Sequence, residues 1–550
     1  MRLLAPPAPV APARTSRRHR RRRSLAIGLN CLALLCVAVF LRCYHLANLP
    51  GVNGDEAWSG VQALRWLRGE GISWWTPTGN PLNWFYFVPL VALHAVAPPS
   101  FVLLRLSALI SGLLALPINY GLCRRAFDRR TAVVSTSLLA LLPIDIAYSR
   151  FGWDASQSML ATLLVMYLAL IHFRRRQVTS MIPTAAVLAL VVAIWVHPTN
   201  VFAAPLLVVP PVYRRRQELA QALKTALATA KTSSRTVLAM SSAAVALGLL
   251  LGVRVVVSHG YGWGELGPFA ENYLRLFSGA TIYEFVAGVG TADSNGSWFA
   301  YLPATCNLLF GCVAIVALLG LLARLARRPT AGDEMLVLSW FTMAAGFFVV
   351  AGPTAIAAHH ERYGICLVAP GALVLSRGLA WWIEAHQPRR AAAMAAIGAA
   401  AWLLPLSFYL GYFAYVERTG GSSHLTFRAA AVEPKQQALE FINTHRRPGE
   451  TTTVVCHEWW NYWPIEYLAL GQRDLRVLTW EQWQTETRDS STRSVDNTWF
   501  VDFADTDGER ETRRRLESAD RITRETTIRD YAGRALLTIV GPAEKFFQNY

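Results

Sequence analysis

Eleven long apolar runs dominate this 550-residue chain, and they constrain its fold more than any other feature. A helix needs about 20 mostly apolar residues to cross the hydrocarbon core of a bilayer, where its backbone must satisfy its own hydrogen bonds. With 53% hydrophobic and only 16% charged residues, the composition excludes a soluble globular enzyme, a disordered chain and a disulfide-rich scaffold. The predicted fold is therefore a polytopic α-helical membrane protein of about 11 spans, at 25–41, 101–123, 131–149, 157–173, 181–196, 201–213, 236–257, 298–322, 335–357, 363–383 and 391–416.

Arginine clusters next to these runs predict the orientation of the chain. They lie at 17–23, 124–130, 174–176, 214–216 and 324–328. Cytoplasmic loops are rich in Lys and Arg, and all five clusters fall on that side if the N-terminus is cytoplasmic and segment 82–97 lies flat at the interface. We therefore expect a multi-pass protein of the inner (plasma) membrane. Short clusters separated by spans do not form the single basic face of a nucleic-acid-binding domain, so no nucleic-acid partner is expected.

This orientation divides the chain into three regions. Residues 1–24 form a basic cytoplasmic tail, and 25–416 form the multi-span domain with a long outer loop at 42–100. Residues 417–550 are more charged and show alternating strand and helix patterns, with strands at 451–457, 475–480, 499–503 and 535–540 and a helix at 508–519. We predict a small extracytoplasmic α/β domain there.

The outer loop carries the first candidate site, Asp55 and Glu56. The pair begins an amphipathic stretch, and a helix N-terminus favours ionised carboxylates, one of which would accept a proton from a hydroxyl group. The same two residues equally suit a helix cap with an acidic first turn.

Other ionisable residues lie on the same predicted side of the membrane. Arg150 and Asp154 share a turn at 149–156, and Arg105 lies four residues inside the second span. Arg362 ends the polar loop at 358–362, and Tyr363 begins the span that follows it. Each has a purely structural interpretation, as a local ion pair, a snorkelling arginine or a loop residue. The histidines at 359 and 360 have no recognisable metal-ligand spacing, so no metal site is assigned. Together these residues favour an anionic, membrane-borne substrate.

The order of these residues resembles the GT-C glycosyltransferases, in particular the protein O-mannosyltransferase and aminoarabinose-transferase branch. The resemblance covers residues 25–383 and rests on Asp55-Glu56, Arg105-Leu-Ser-Ala, Gly112, the cluster 124–130, the segment 142–150, Arg362-Tyr363 and Pro370. It implies an enzyme that transfers a hexose or pentose from a polyprenyl-phosphate carrier to a glycan, lipid or protein acceptor at the extracytoplasmic face.

The resemblance also implies roles for the candidate residues. Asp55 would be the general base of an inverting transfer, and Glu56 would orient the acceptor or Asp55. The arginines at 105, 150 and 362 would neutralise the departing phosphate, with Asp154 and Tyr363 contributing to substrate binding. No cofactor is certain, although the acidic pair leaves a divalent metal ion open.

Two other functions fit the same features. A glycan ligase or polymerase would use a pyrophosphate-linked donor, and a lipid or sugar transporter would use the same membrane setting without chemistry. The halves of the chain do not match each other, which disfavours the transporter. The donor sugar, the acceptor, the length of the lipid and the oligomeric state leave no readable mark in the sequence.

Overall fold

A computed structural model describes residues 15–77, 79–174, 184–218, 220–221, 224–225, 263–287, 301–385, 390–419, 434–447, 449–489, 497–518, 523–529 and 533–542. The predicted span at 236–257 and residues 1–14 of the basic tail lie outside these ranges. Up to residue 419 the described part of the chain is helical, with α1 Thr15–Cys43, α2 Gly54–Leu67, α3 Trp84–Val96, α4 Phe101–Ala126, α5 Arg129–Leu141, α6 Pro143–Tyr148, α7 Ser158–Arg174, α8 Thr184–Val196, α9 Pro205–Arg214, α10 Leu266–Ser278, α11 Ala280–Ala287, α12 Leu302–Arg327, α13 Ala331–Ala351, α14 Ile365–Ala385, α15 Arg390–Phe408 and α16 Tyr415–Thr419.

Among the residues that the structure describes, four helical segments are long and apolar enough to cross a membrane: α4, α12, α13 and the continuous segment Glu361–Ala385 that contains α14. The predicted helical membrane fold is confirmed at this level, and the count of 11 spans stays a prediction. The predicted run at 131–149 is divided between α5 and α6, because Pro143 begins a new helix rather than continuing the previous one. In segment 82–97, helix α3 is 13 residues long and is capped by Asn83.

Helix α14 lies at the centre of the bundle and is buried along most of its length. It packs against α5, α7, α12 and α13. Small residues allow these close approaches: a Cβ at Gly378 would lie 1.8 Å from the carbonyl oxygen of Ala317 on α12. Helix α4 packs in the same way between α5 and α7. These two helices connect the two ends of the bundle.

The C-terminal region forms a mixed five-stranded sheet, which confirms the predicted C-terminal sheet. The elements of this region are α17 Pro434–His445, β1 Thr452–Cys456, α18 Trp459–Ala469, β2 Leu475–Thr479, α19 Trp480–Asp489, β3 Thr498–Phe503, α20 Asp507–Ser518, β4 Thr523–Arg529 and β5 Ala535–Pro542. The strand order in the sheet is β2-β1-β3-β5-β4, with β1 parallel to β2 and β3, and β5 antiparallel to β3 and β4. Strand β4 was not predicted from the sequence.

The sheet region packs directly against the helix that carries Asp55. Helix α18 lies on α2, where the indole of Trp459 sits over Gly54. The Lys435 ammonium donates to the carbonyl of Val52 at 3.3 Å. Tyr467 joins the start of α4 through hydrogen bonds with Ser100. The start of α2 is therefore held between the helical bundle and the C-terminal region.

Candidate active site

A capping box fixes the start of α2 and thereby the position of Asp55 and Glu56. The side chain of Asn53 accepts the Asp55 backbone N–H at 2.7 Å, and the Glu56 carboxylate accepts the Asn53 backbone N–H at 3.2 Å. Successive residues of a helix point about 100° apart, so the two carboxylates face different surroundings. Glu56 is completely buried, whereas Asp55 is partly exposed.

Glu56 joins three distant segments of the chain. Arg105 on α4 donates to both carboxylate oxygens, from Nε and Nη2, each at 3.0 Å. The backbone N–H of Gly152 donates to Oε1 at 2.7 Å. Both side chains of the ion pair have 0% exposure. Two parallel charge-assisted hydrogen bonds of this kind fix orientation as well as distance, so Glu56 sets the position of α2 relative to α4 and the Gly152 turn.

Arg150 is also enclosed by protein. It donates to the backbone carbonyls of Leu41 and Leu49 at 2.9 and 2.8 Å, and its guanidinium lies 4.7 Å from the ring centroid of Phe413. Its side chain is completely buried. Arg105 and Arg150 are therefore bound to protein groups in the interior, and they fix the chain on either side of the first outer loop.

Arg362 is the one arginine of the predicted set that is partly exposed. Its guanidinium stacks 4.7 Å above the Trp153 ring and 4.6 Å above the Tyr363 ring. It donates to the Tyr363 hydroxyl at 3.0 Å and to the carbonyl of His359 at 3.2 Å. Two aromatic rings therefore hold a cation beside the acidic residues.

Asp55, Asp154 and Arg362 come together from three parts of the chain. Both Asp154 and Arg362 act electrostatically on Asp55, and His197 acts on Asp154. No hydrogen bond reaches the Asp55 carboxylate from any residue within the described ranges. We call these four residues the Asp55 site.

Burial raises the pKa of Asp55 from 3.8 to about 7, and repulsion from Asp154 adds to the rise while Arg362 opposes it. Burial also raises the pKa of Asp154. The sequence predicts an ionised pair at the helix N-terminus, but removal from water outweighs the helix dipole at Asp55. A carboxylate with a pKa near 7 is poised to accept a proton at neutral pH.

Two members of this neighbourhood were not among the predicted site residues. His197 stands directly before Pro198, a position typical of a helix end, and its ring lies 5.8 Å from that of Tyr363. Trp153 is the platform of Arg362, although nothing in its local pattern indicates such a role. Glu361 in the predicted polar loop is buried, and its carboxylate accepts a hydrogen bond from the Tyr148 hydroxyl at 3.2 Å. Within the described ranges, no group of three or more His, Cys, Asp or Glu side chains is arranged to hold a metal ion.

Comparison with known proteins yields similarity in structure but not in sequence. No protein family matches the chain, and neither does any curated protein. The structure resembles ArnT from Cupriavidus metallidurans bound to undecaprenyl phosphate, with a TM-score of 0.51 and 14% identity over 94% of this chain and 98% of that one. It also aligns with the oligosaccharyltransferase AglB from Archaeoglobus fulgidus in complex with an inhibitory peptide and a dolichol-phosphate, with a TM-score of 0.47 and 14% identity over 88% and 70% of the two chains. A second AglB structure, with Zn and sulfate, gives a TM-score of 0.45 and 14% identity over 86% and 68%. The likeness to ArnT confirms the predicted GT-C-like fold.

Proposed function

We propose that this protein is a membrane glycosyltransferase that moves a sugar from a polyprenyl-phosphate carrier to an acceptor at the extracytoplasmic face. The observation that carries the proposal is the Asp55 site: a carboxylate without a hydrogen-bond partner in the described ranges, with a pKa of about 7, beside a partly exposed guanidinium. It lies on a fold shared with ArnT, whose structure contains undecaprenyl phosphate.

The proposed reaction is a single inverting displacement. The Asp55 carboxylate takes the proton of an acceptor hydroxyl, and the acceptor oxygen attacks the anomeric carbon from the face opposite the phosphate. The bond between that carbon and the phosphate oxygen breaks, and the polyprenyl phosphate leaves with the electron pair. Burial, together with repulsion from Asp154, keeps the pKa of Asp55 high enough for this proton transfer near neutral pH.

We assign the phosphate to Arg362, with Tyr363 as its hydrogen-bonded neighbour. A guanidinium stacked on Trp153 keeps its planar orientation while its edge binds phosphate oxygens. The guanidinium groups of Arg105 and Arg150 already bind Glu56 and backbone carbonyls. We therefore propose that these two arginines, together with Glu56, position the site rather than touch the substrate.

The proposed orientation places the N-terminus in the cytoplasm and the C-terminal sheet outside, with about 11 spans. The Asp55 site is then extracytoplasmic, beside the outer loop at 42–100. The proposed acceptor is a glycan, lipid or protein. Metal dependence is left to experiment.

Release of polyprenyl phosphate from short polyprenyl-phosphate sugars by the purified protein tests the proposal. A cell-envelope extract serves as acceptor, with and without a metal chelator. Loss of a general base typically costs about 10²- to 10⁴-fold in rate, so Asp55→Asn should lose that much turnover. The matched control Asp507→Asn, whose carboxylate is 99% exposed in the C-terminal region, should keep wild-type turnover.

Two outcomes contradict the proposal. Near-normal turnover of Asp55→Asn would show that Asp55 is not the general base. Turnover only with pyrophosphate-linked glycans, with products that lengthen on a gel, favours a ligase or polymerase instead. Arg362→Gln tests the proposed phosphate contact. If Arg362 binds the donor phosphate, the variant should use the donor less efficiently while its thermal unfolding midpoint stays unchanged.

A further inference from the structure

A large arginine-lined cavity lies at the other end of the helical bundle from Asp55. Helix α4 begins beside the site, where Arg105 meets Glu56, and ends at Ala126 in the wall of the cavity. Helix α14 likewise begins just after Arg362 and ends beside the cavity. A helix of 21 residues such as α14 is about 30 Å long at about 1.5 Å per residue. The cavity is therefore separate from the Asp55 site and lies about one membrane thickness away from it.

The volume and charge of the cavity are those of a ligand site. It encloses about 920 Å³, within the range of about 300–1,000 Å³ that is usual for small-molecule sites. Only two carboxylates, Asp128 and Glu384, line it, against six arginines, namely Arg129, Arg130, Arg214, Arg324, Arg328 and Arg377. The cavity thus carries a clear excess of positive charge.

Two of the arginines form a fixed floor. Arg377 donates to Asp333 and to Asp128, each at 2.5 Å, and lies 4.8 Å from the Phe127 ring centroid. Arg324 donates to the same Asp333 at 2.7 Å. Because these guanidinium groups have protein counter-ions, the floor is neutral and holds the ends of four helices together.

The rim is different. Arg129 and Arg328 are exposed, and neither side chain forms an ion pair or hydrogen bond with a residue in the described part of the chain. Arg130 approaches Glu384 only to 3.9 Å. The N-termini of α5 and α13 also open at the cavity and add partial positive charge.

We propose that this cavity binds a phosphate group, either of an anionic lipid headgroup or of a soluble phosphate. Guanidinium groups pair with phosphate oxygens through parallel hydrogen bonds. The walls between the arginines are apolar at Met335 and Ala380, which suits the beginning of a lipid's acyl chains. A basic pocket between the ends of membrane helices is also where lipid headgroups lie.

The test compares two double variants that remove the same charge from the same end of the bundle. Arg129→Gln with Arg328→Gln changes the rim. Arg124→Gln with Arg327→Gln changes two exposed arginines in the last turns of α4 and α12 that do not line the cavity. In one arm, each protein is purified from mixed micelles of phosphatidylglycerol and phosphatidylcholine, and retained lipid is measured by native mass spectrometry. In the other arm, inorganic pyrophosphate is titrated and the thermal midpoint is followed.

We expect wild type and the control to retain phosphatidylglycerol and the rim variant to bind it about tenfold to thirtyfold more weakly. A midpoint shift with pyrophosphate, lost only in the rim variant, supports the site with a soluble phosphate as its ligand. Equal losses in both double variants, or equal binding by all three proteins, overturn the proposal. Sugar transfer is read separately, since the rim arginines lie far from the Asp55 site.

Discussion

Replacing Asp55 by asparagine should make the folded protein more stable while it removes turnover. The pKa of Asp55 is about 7 in the folded protein and 3.8 for an ordinary aspartate. A raised pKa means that the folded state holds the proton more tightly than the unfolded state. The ionised carboxylate therefore lowers stability as pH rises above about 4, and the full cost is reached above about pH 7. Asparagine has nearly the same shape and carries no charge, so it avoids this cost.

The size of the effect follows from the shift. About three pKa units correspond to about 4 kcal/mol at pH 8. Because Asp55 is partly exposed, solvent screening reduces this, and we expect about 2 kcal/mol. At about 2.1 cal/mol/K per residue, a chain of 550 residues unfolds with an entropy of about 1.2 kcal/mol/K, so the unfolding midpoint should rise by about 2 °C.

Thermal unfolding of wild type and Asp55→Asn in detergent, from about pH 5 to about pH 8 and at one scan rate, measures the difference. A fixed scan rate matters because large membrane proteins often unfold irreversibly. The midpoint difference should grow with pH. Asp507→Asn is the control, since the Arg510 partner lowers the pKa of that exposed carboxylate. A difference that does not change with pH, or an Asp55→Asn protein that is less stable above pH 7, refutes the reasoning.

Turnover and packing give three further expectations. The rate of sugar transfer should rise with pH and reach half its maximum near pH 7, because Asp55, the proposed general base, loses its proton there. A flat profile from about pH 5 to 9 contradicts this expectation. Glu56→Gln leaves a buried arginine without its counter-ion and should cost about 3–5 kcal/mol, seen as a lower yield of monodisperse protein, whereas exposed Glu70→Gln should not. Gly378→Ala drives a methyl group into the carbonyl of Ala317 and should lower the midpoint, while Gly346→Ala, with open space around it, should be neutral or slightly stabilising.

The long helices were predictable because their apolar runs are longer than anything a soluble fold requires. The predicted 101–123 corresponds to α4 Phe101–Ala126, and 363–383 to α14 Ile365–Ala385. The break at Pro143 was missed, since hydropathy alone does not register a helix restart inside an apolar run. Strand β4 was missed because Thr523–Arg529 is a charged strand at the edge of the described sheet, where it pairs with β5.

Which residues form the candidate site was easier to predict from the sequence than what each residue does there. Asp55 and Glu56 are adjacent in sequence, so no local pattern says which of them turns inward. The answer depends on Arg105 and Gly152, which lie 49 and 96 residues from Glu56. His197 was missed for the same reason, since its relation to Asp154 exists only after α7 and α8 have packed.

The two carboxylates of α2 have different roles, and the buried contacts of Glu56 fix the position of Asp55. An aspartate whose pKa is about 7, and whose carboxylate accepts no hydrogen bond from the described residues, is unfavourable for folding. Such a residue persists only if the contacts around it fix its position. Glu56 supplies that constraint: it pairs with Arg105, accepts the Gly152 N–H and caps its own helix. Each of these contacts is fully buried and charge-assisted, so α2 cannot rotate to give Asp55 a better partner without breaking them. The reactivity proposed for Asp55 is thus a consequence of how completely Glu56 is satisfied.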